Sequence, residues 1–291
     1  MEITVNAPAK INLYLNILSK RDDGYHNVEM VMQSVSLFDK VTISKALHSH
    51  INLKSNYNFP GIIQKNTAYM AAQAFFEHTN INNQGINIYI EKNIPTCAGL
   101  AGGSADAAAV LVALNDLFSC NISKRDLALI GEKVGADVPF CLVGGTVLAT
   151  GIGTSLLPLA NIPDCYIVIV KPNVFVSTKE AYKLSDEIPF GKKVSVNEII
   201  SAIYKRDIFE ISASLYNRFE KVMSLCENDK IKSLLKEHGA INSCMTGTGS
   251  AVFGIFNDEK SAASAKNILK KIYKEVFLVN PLKTGCYITK E

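Results

Sequence analysis

The sequence predicts an α+β fold built from two domains. Its 291 residues are enough for more than one hydrophobic core. Segments with strand and helix patterns alternate in both halves, which indicates layered sheets and helices. A passage rich in Gly, Thr and Pro at 150–163 is the expected junction, so we place the domains at 1–155 and 156–291.

Composition excludes several classes of protein. Hydrophobic residues make up 48% and charged residues 20%, as in ordinary globular chains, and the net charge of +3 is too small to indicate nucleic-acid binding. No apolar run approaches the ~18 residues of a membrane span. The seven cysteines are scattered and odd in number, which indicates reduced thiols rather than disulfides or a zinc site. We therefore expect a cytoplasmic protein.

The first half combines strands with three helices. Asn66 or Thr67 can cap a helix, and Ser104 and Ser123 are the expected caps of the next two. The expected elements are a strand at 3–16, a turn at 21–26, a β-rich stretch at 27–43, a loop at 54–61, a helix at 67–77, a strand at 86–90, helices at 104–118 and 123–134, and strands within 140–149.

The second half repeats the mixture of strands and helices. The expected elements are a strand at 166–170, a helix at 177–184, two or three helices within 196–238, a turn and buried strand at 244–256, a helix at 261–275, and closing strands. Lysines 266, 270, 271 and 274 fit the solvated face of the last helix.

A glycine-rich loop at 94–103 is the most informative local feature. It joins a strand to an apolar helix. Glycine lets a backbone approach a ligand closely, and the first N–H groups of a helix, together with its dipole, favour an anion such as phosphate. Tight packing without a ligand stays open as an alternative. Neither a Walker A loop nor a Gly-x-Gly-x-x-Gly fingerprint occurs in the chain.

Four other segments each allow two interpretations. Lys10, inside an apolar strand, is either an edge residue that opposes aggregation or a functional cation. Asp137 is either a turn aspartate bonded to its own backbone or a catalytic carboxylate. The segment 247–249 is either a hairpin turn or part of a site, and Tyr25 and His26 are either surface aromatics or ligand contacts.

Taken in order, these segments resemble the GHMP kinase superfamily. The matching residues are Pro8-Ala-Lys-Ile-Asn12, Asp23-Gly-Tyr-His26, Pro95-x3-Gly-Leu-Ala-Gly-Gly-Ser104, Gly135-Ala-Asp-Val-Pro139 and Thr246-Gly-Thr-Gly249. The glycine loop is typical of the superfamily. The other elements narrow the resemblance to members that phosphorylate the 2-hydroxyl of 4-diphosphocytidyl-2-C-methyl-D-erythritol in the non-mevalonate isoprenoid pathway. The resemblance covers nearly the whole chain.

The resemblance implies an ATP-dependent kinase that uses Mg²⁺. It implies an N-terminal domain like ribosomal protein S5 domain 2, a ferredoxin-like C-terminal domain, and a site in the cleft between them. The partners it implies are ATP and the cytidine-linked substrate, with no nucleic acid and no membrane. We expect a monomer or a homodimer.

The resemblance also implies residue roles. Asp137 would be the base and Lys10 its partner. The loop that would wrap the ATP phosphates comprises Pro95, Thr96, Cys97, Ala98, Gly99, Leu100, Ala101, Gly102, Gly103, Ser104 and Ala105. Tyr25, His26 and Tyr182 would hold the cytosine. Asn12 and Thr178 would contact the methylerythritol part, and Asn66 and Lys92 would lie near adenine.

Two loop positions depart from the common family pattern. Ala101 replaces a glycine, and Ala105 replaces a serine, which leaves Ser104 as the only hydroxyl of that pair. The side-chain ligands of a metal therefore stay unassigned. A homoserine or mevalonate kinase is the close rival, because it would keep the loop and change the acceptor. A nucleotide-binding module without turnover and a glycine-rich oxidoreductase are more distant alternatives.

Overall fold

Two β-sheets organise the part of the chain that the computed structural model describes, residues 2–81, 85–188, 195–223 and 225–289. The strands are β1 Glu2–Lys20, β2 His26–Lys45, β3 Ile51–Ser55, β4 Ile86–Glu91, β5 Thr146–Gly151, β6 Ser155–Pro158, β7 Tyr166–Lys171, β8 Tyr216–Asn217, β9 Asn242–Met245, β10 Val252–Phe256, β11 Glu275–Val279 and β12 Tyr287–Ile288.

The helices vary from one turn to four. They are α1 Thr67–Thr79, α2 Gly102–Leu117, α3 Lys124–Glu132, α4 Val138–Val143, α5 Thr178–Asp186, α6 Val196–Lys205, α7 Ile208–Ala213, α8 Phe219–Val222, α9 Cys226–Glu237 and α10 Glu259–Leu269. A 3-10 turn at Ile63–Lys65 precedes α1.

The first sheet is built on the long antiparallel pair β1 and β2. Its strand order is β12-β1-β2-β4-β3, with β5 paired to both β2 and β6, and β8 paired to β1. Register shifts in β1 occur between Pro8 and Ala9 and between Asn12 and Tyr14. They bracket a short segment containing Lys10 and Asn12, so this stretch departs from a regular ladder.

Residues 7–17 of β1 are buried without interruption. Isoleucine, leucine, alanine and tyrosine explain most of that burial, but Lys10 and Asn12 lie within it as well. Buried polar groups are retained in folded proteins when they are hydrogen-bonded. These two side chains therefore require partners from elsewhere in the fold.

The second sheet has the order β11-β7-β10-β9, and every neighbouring pair is antiparallel. Counted along the chain from β7, this is the spatial order 4-1-3-2, which confirms the ferredoxin-like expectation. Residues Ile167–Val170 of β7 are fully buried. Helix α9 packs against β9 and β10, and α10 packs against β7 and β11.

Helix α2 is the central helix of the first half. Residues Ala105–Leu111 are all buried, and the helix contacts α1, β1 and β2. Five of these seven residues are alanines or valines with small side chains, which lets neighbouring elements approach closely. This packing fixes the direction of the helix N-terminus and of the loop before it.

The two halves of the chain are interleaved in the first sheet. Tyr14 of β1 pairs with Tyr216 of β8, and Val5 of β1 pairs with Ile288 of β12. Strand β6 also extends the first sheet to Pro158 through its pairing with β5. The domain boundary at 155 stays a prediction.

The prediction of strands within 140–149 was wrong for the first part of that region. Residues 138–143 form α4, because Pro139 stands at the start of the helix, where its missing N–H costs little. Gly144 and Gly145 both have positive φ and end the helix. Strand β5 begins only at Thr146.

The predicted Ser104 cap of α2 was also wrong. The helix begins at Gly102, after Ala101 in the left-handed conformation with φ of 58°. Ser104 therefore lies inside the first turn. No side chain caps this terminus, so its first N–H groups stay free for another acceptor.

The remaining helix predictions need smaller changes. The helix predicted at 261–275 ends at Leu269, because Glu275–Val279 pairs with β7 as an edge strand. The described residues between 196 and 238 form four helices and the short β8, rather than the two or three helices predicted. Among the described residues, no helix combines the length and the apolar character that crossing a membrane requires.

Candidate active site

A cavity of about 1310 Å³ opens between the glycine loop, α5 and the loop before β10. Its lining includes Lys10, Tyr25, His26, Asp137, Thr178 and Tyr182, together with every residue from Pro95 to Ser104. The structure thus brings most of the predicted site residues to one cavity. The two exceptions are Asn12 and Ala105, which are fully buried.

The glycine loop is held against the loop at 246–249. Gly99 has a φ of 74°, and a Cβ there would lie 2.1 Å from the carbonyl oxygen of Thr246. The hydroxyl of Thr246 donates to the Gly99 carbonyl oxygen at 3.2 Å. Glycine is therefore required at position 99 for both conformation and space. The segment 247–249 thus packs on the predicted phosphate loop.

The N-terminus of α2 is the part of this cavity best suited to an anion. Gly102, Gly103 and Ser104 form its first turn and line the cavity. The uncapped N–H groups and the positive end of the helix dipole favour a negatively charged acceptor at this position. Such a terminus binds phosphate without a cationic side chain.

Lys10 and Asp137 meet in this cavity, although they come from β1 and from the residue before α4. The Lys10 Nζ atom lies 3.8 Å from Asp137 Oδ2. The Lys10 side chain is 5% exposed and the Asp137 side chain 32% exposed. The carboxylate therefore has a nearby cation and also remains accessible to a ligand.

Asn12 orients the lysine from within the core. Its Oδ1 atom accepts a hydrogen bond from Lys10 Nζ at 2.7 Å and one from the Gly247 N–H at 3.1 Å. Its own N–H donates to the Thr246 hydroxyl at 3.0 Å. The amide thus links β1 to the loop at 246–249, and a direct contact between Asn12 and an acceptor stays a prediction.

A second ionic group, which we call the Lys92 cluster, comprises Asp39, Lys92 and Asp106. Lys92 Nζ donates to Asp106 Oδ2 at 2.7 Å and also to Asp39. Asp39 Oδ1 accepts from the backbone N–H groups of Asn93 and Ile94 at 2.6 and 2.8 Å. All three side chains are at most 5% exposed.

The charges in the Lys92 cluster shift one another's protonation. Burial would lower the pKa of Lys92, but the charges of Asp106 and Asp39 outweigh it and raise that pKa. Burial, with the charge of Asp39, raises the pKa of Asp106 to about 8. The cluster joins β2, the end of β4 and α2 beneath the glycine loop. The sequence predicted Lys92 near adenine but gave no sign of Asp39.

A third group, the His26 cluster, comprises Lys20, His26, Tyr182 and Asp186. His26 Nε2 lies 2.7 Å from Asp186 Oδ1, and Lys20 Nζ donates to Asp186 Oδ2 at 2.6 Å. These two hydrogen bonds lower the pKa of Asp186. The rings of His26 and Tyr182 are 4.8 Å apart and inclined by 33°.

Tyr182 connects the His26 cluster to the rest of the cavity. Its ring packs edge-on against Phe219 at 5.0 Å. Burial, and to a smaller extent the charge of Asp137, raises the pKa of Tyr182 to about 12. Tyr25 differs from it, because its side chain is 61% exposed. Both aromatics line the cavity, one fixed and one open to solvent.

Several residues of the site were missed by sequence reasoning, among them Lys20, Asp39, Asp186 and Phe175. Asp39 and Asp186 follow no recognisable motif, since their roles depend on partners far away in the chain. Phe175 lines the cavity and is 73% exposed, which an exposed apolar ring before a predicted helix could have suggested.

Two further predicted residues lie on the cavity wall. Thr178 is in the first turn of α5, and its hydroxyl lies 3.2 Å from that of Thr248. Asn66 caps α1 by accepting a hydrogen bond from the Ala68 N–H at 2.9 Å. One hydrogen bond to the Asn66 side-chain oxygen is therefore already made within the protein.

Metal-binding side chains are sparse here. Within the described ranges, no group of three His, Cys, Asp or Glu residues has the arrangement of a metal site. Ser104 supplies a hydroxyl in the first turn of α2, while Ala105 supplies none. Asp106 Oδ1 is buried and without a hydrogen-bond partner in the described structure.

Comparison with known protein families agrees with this geometry. The family model described as "GHMP kinases N terminal domain" matches residues 66–145, and the one described as "GHMP kinases C terminal" matches residues 199–275. The first match contains the glycine loop and Asp137. The second lies across the ferredoxin-like half of the chain.

Full-length relatives are also similar. A Caldicellulosiruptor bescii protein named 4-diphosphocytidyl-2-C-methyl-D-erythritol kinase is 44% identical, over 94% of this chain and 96% of its own length. A Clostridioides difficile protein of the same name is 40% identical, over 99% of this chain and 98% of its own.

Solved structures give the same result. A crystal structure of 4-(cytidine 5'-diphospho)-2C-methyl-D-erythritol kinase superposes with a TM-score of 0.81 at 30% identity, covering 97% of this chain and 99% of its own. Homoserine kinase from Cytophaga hutchinsonii has a TM-score of 0.78 at 21% identity, covering 99% of this chain and 97% of its own, which shows a shared fold alone.

Proposed function

The chain belongs to the GHMP kinase family, and we propose that it phosphorylates the 2-hydroxyl of 4-diphosphocytidyl-2-C-methyl-D-erythritol with ATP. It has the two-domain α+β fold of that family and is an ATP-dependent phosphotransferase. The reaction belongs to isoprenoid precursor biosynthesis, as the names of its relatives indicate. The observation that carries the proposal is the Lys10–Asp137 pair, which lines the same cavity as the glycine loop.

The phosphate end of the cavity is formed by backbone. In the proposal, the loop from Pro95 to Ala105 surrounds the phosphates of ATP, and the first N–H groups of α2 bind their oxygens. Phosphoryl transfer depends mainly on in-line positioning and on stabilising the charge of the transferred group. An uncapped helix N-terminus supplies fixed donors for that charge.

Asp137 is proposed as the general base. Its carboxylate accepts the proton of the acceptor hydroxyl while that oxygen forms a bond to the γ-phosphorus, and the bond to the ADP oxygen breaks with its electron pair. Lys10, 3.8 Å from the carboxylate, offsets part of its negative charge and attracts the phosphoryl oxygens. Asn12 holds the lysine in place through its 2.7 Å hydrogen bond.

The His26 cluster is proposed as the cytosine subsite. Tyr25 and Tyr182 offer aromatic faces to the pyrimidine, and His26 offers a ring nitrogen to its edge. Thr178, at the start of α5, is proposed to contact the methylerythritol part. Asn66 and Lys92 are proposed to lie near adenine, which leaves the Lys92 cluster intact as a support of the loop.

The oxygen atoms available at the phosphate loop also suit Mg²⁺, provided that the nucleotide supplies most of its ligands. Mg²⁺ prefers oxygen ligands and keeps several waters, so phosphate oxygens and the Ser104 hydroxyl are sufficient. Bound in this way, the ion would neutralise charge on the phosphates. We propose Ser104 as its protein ligand. A cytoplasmic location and a monomeric or homodimeric state are further parts of the proposal.

Substrate choice tests the proposed function directly. The purified enzyme with ATP is offered 4-diphosphocytidyl-2-C-methyl-D-erythritol, homoserine or mevalonate, and ADP release is followed. We expect kcat/KM for the cytidine compound to exceed the others by at least ~100-fold, because small aliphatic alcohols leave the aromatic subsite empty. A preference for homoserine or mevalonate would overturn the proposal. ATP binding without phosphorylation of any alcohol would support a non-catalytic module instead.

A further inference from the structure

A second cavity lies between α10, β11 and the middle of β2. Its volume is about 240 Å³, and its lining includes Ser36, Lys266, Lys270 and Lys274 together with Val276–Val279 of β11. We call this cavity the lysine cleft. It shares no lining residue with the cavity of the candidate active site, so the proposed reaction leaves it without a role.

The lysines of the cleft come from the end of α10 and the turn that follows it. Lys266 is in the last turn of the helix, Lys270 is its C-cap, and Lys274 directly precedes β11. Residues four apart on a helix lie on the same face, which places Lys266 and Lys270 side by side. Lys271, which the sequence grouped with them on one solvated face, does not line the cleft.

The positive charge of the cleft is not balanced within the protein. Among the described residues, none of the ion pairs includes any of the three cleft lysines. The C-terminal end of α10 contributes the negative end of the helix dipole, equivalent to roughly half an elementary charge, which offsets only a small part of three ammonium groups. Like charges four residues apart also destabilise a helix, and a bound anion would remove that cost.

Ser36 supplies a hydroxyl from the opposite wall of the cleft. Its Oγ atom accepts a hydrogen bond from the Asn280 N–H at 2.8 Å, and its own N–H donates to the Asn280 carbonyl oxygen at 2.9 Å. In the described part of the chain, the hydroxyl hydrogen has no acceptor. The oxygen is therefore fixed in position, while the hydrogen remains available to a ligand.

A phosphate-type anion matches this set of donors. Phosphate oxygens accept strong hydrogen bonds from ammonium groups, and lysine binds them as a point charge. The volume of the cleft is below the range of about 300–1,000 Å³ for sites that enclose a drug-sized ligand, so the bound group must be small. One phosphoryl group carries about −1.5 to −2 at pH 7. A diphosphate therefore comes closer to balancing three ammonium groups.

We propose that the lysine cleft is a binding site for a diphosphate group, either free or at the end of a small organic molecule. The ammonium groups of Lys266, Lys270 and Lys274 bind its oxygens, and the Ser36 hydroxyl donates to it from the facing wall. Because the lysines belong to the second half of the chain and Ser36 to β2, the ligand bridges the two sheets. The proposal goes beyond the proposed function and does not depend on it.

Calorimetry on the full-length protein tests this site with inorganic diphosphate as the probe. A non-hydrolysable ATP analogue is present at saturation, so that the glycine loop is already occupied. We expect a dissociation constant below about 1 mM at low ionic strength, and weaker binding when salt is added. A second probe, n-butyl diphosphate, distinguishes the sources. Equal affinity supports a free diphosphate, and affinity at least about tenfold higher supports an organic one.

Two double variants with the same net charge provide the matched comparison. Lys266→Met/Lys270→Met removes two lysines of the cleft, whereas Lys260→Met/Lys271→Met removes two lysines that do not line it. We expect the first to weaken diphosphate binding at least ~10-fold and the second to change it by less than about twofold. Thermal unfolding without diphosphate checks that both variants fold. Added diphosphate should raise Tm in the wild-type protein and in the control, but not in the cleft variant.

Three outcomes overturn the proposal. Binding heat that disappears once the ATP analogue is saturating places the diphosphate at the glycine loop instead. Equal weakening in both double variants shows an effect of general surface charge. Absence of diphosphate binding to the wild-type protein, with self-association of the cleft variant in size-exclusion chromatography, shows that the lysines only protect β11, the edge strand of the second sheet, from pairing with another chain.

Discussion

The Lys92 cluster and the Lys10–Asp137 pair contain the same residue types and lie beside the same cavity. They differ in how many of their charged atoms have ionic partners and in how exposed those atoms are. Lys92 donates to two carboxylates, and every member of its cluster is at most 5% exposed. Asp137 is instead 3.8 Å from Lys10 and 32% exposed. The first group is almost closed to solvent and leaves one buried atom, Asp106 Oδ1, without a hydrogen-bond partner in the described structure, whereas the second keeps an exposed carboxylate.

This difference separates structural from reactive ion pairs. Buried charges are tolerated when partners compensate their desolvation, and removing one partner is costly. A catalytic base must instead contact its substrate. Its carboxylate therefore cannot have all of its oxygen atoms paired with protein groups. The types of charged residue alone would not distinguish the two groups. Distance and exposure do.

The largest expected effect is on stability, in Lys92→Met. The change removes the cation between Asp39 and Asp106, so the buried Asp39 carboxylate loses its counter-charge and Asp106 loses its hydrogen-bond donor. We expect the free energy of unfolding to fall by about 3–5 kcal/mol, measured by chemical denaturation.

Lys205→Met is the control for this change, since Lys205 pairs with Glu210 at 2.8 Å on the surface. Its free energy of unfolding should change by less than about 1 kcal/mol. A loss below about 1 kcal/mol in Lys92→Met as well would mean that the cluster is not a structural support.

The next effect is on turnover, in Asp137→Asn. This isosteric change removes the proton acceptor while keeping the shape of the helix start. We expect kcat to fall at least ~100-fold, measured by ADP release under saturating substrates. Because the side chain is 32% exposed and only loosely paired, the free energy of unfolding should change by less than about 1 kcal/mol. Near-normal turnover in the folded variant would remove Asp137 as the base.

The smallest effect concerns pH and Asp106. Its pKa rises to about 8 in the folded state, whereas the ordinary value is 3.8. Between these values the folded state binds more protons than the unfolded state, so stability falls as pH rises through this window. Asp106→Asn does not ionise and lacks this decline. From pH 5 to pH 6 we expect the variant to gain roughly 1–2 kcal/mol relative to wild type.

Denaturation of both proteins at several pH values measures that difference. Asp126→Asn is a suitable comparison, because Asp126 is an exposed residue in the first turn of α3. Its profile should run parallel to that of the wild-type protein. A parallel profile for Asp106→Asn too would show that the pKa of Asp106 is not raised in the folded state.

Local patterns predicted much of the fold. The strand at 86–90 and the helix at 67–77 agree with β4 and α1 to within two residues, because alternation and a cap act within a few residues. The stretch 140–143 was wrong because a run of apolar residues suits both a buried strand and a short buried helix. There the glycines at 144 and 145 and the packing around α4 decided the outcome.

The residues of the candidate site could be predicted only where they belong to a contiguous sequence motif. The glycine loop and the Gly-Ala-Asp-Val-Pro segment are continuous in the sequence, so the loop and Asp137 could be named. Asp39 and Asp186 could not, because their partners Lys92 and His26 lie 53 and 160 positions away. Asn12 was assigned to the acceptor, but its amide is engaged by Lys10 and by the loop at 246–249.

By itself, the sequence determined the mixed α+β class, the phosphate loop and the family resemblance, because these depend on short-range periodicity and on contiguous residues. The tertiary structure decided which charges are satisfied and which remain open, since burial and distance arise only when remote segments pack together. It also decided which side chain pairs with His26, because Asp186 is delivered by α5 from the other half of the chain.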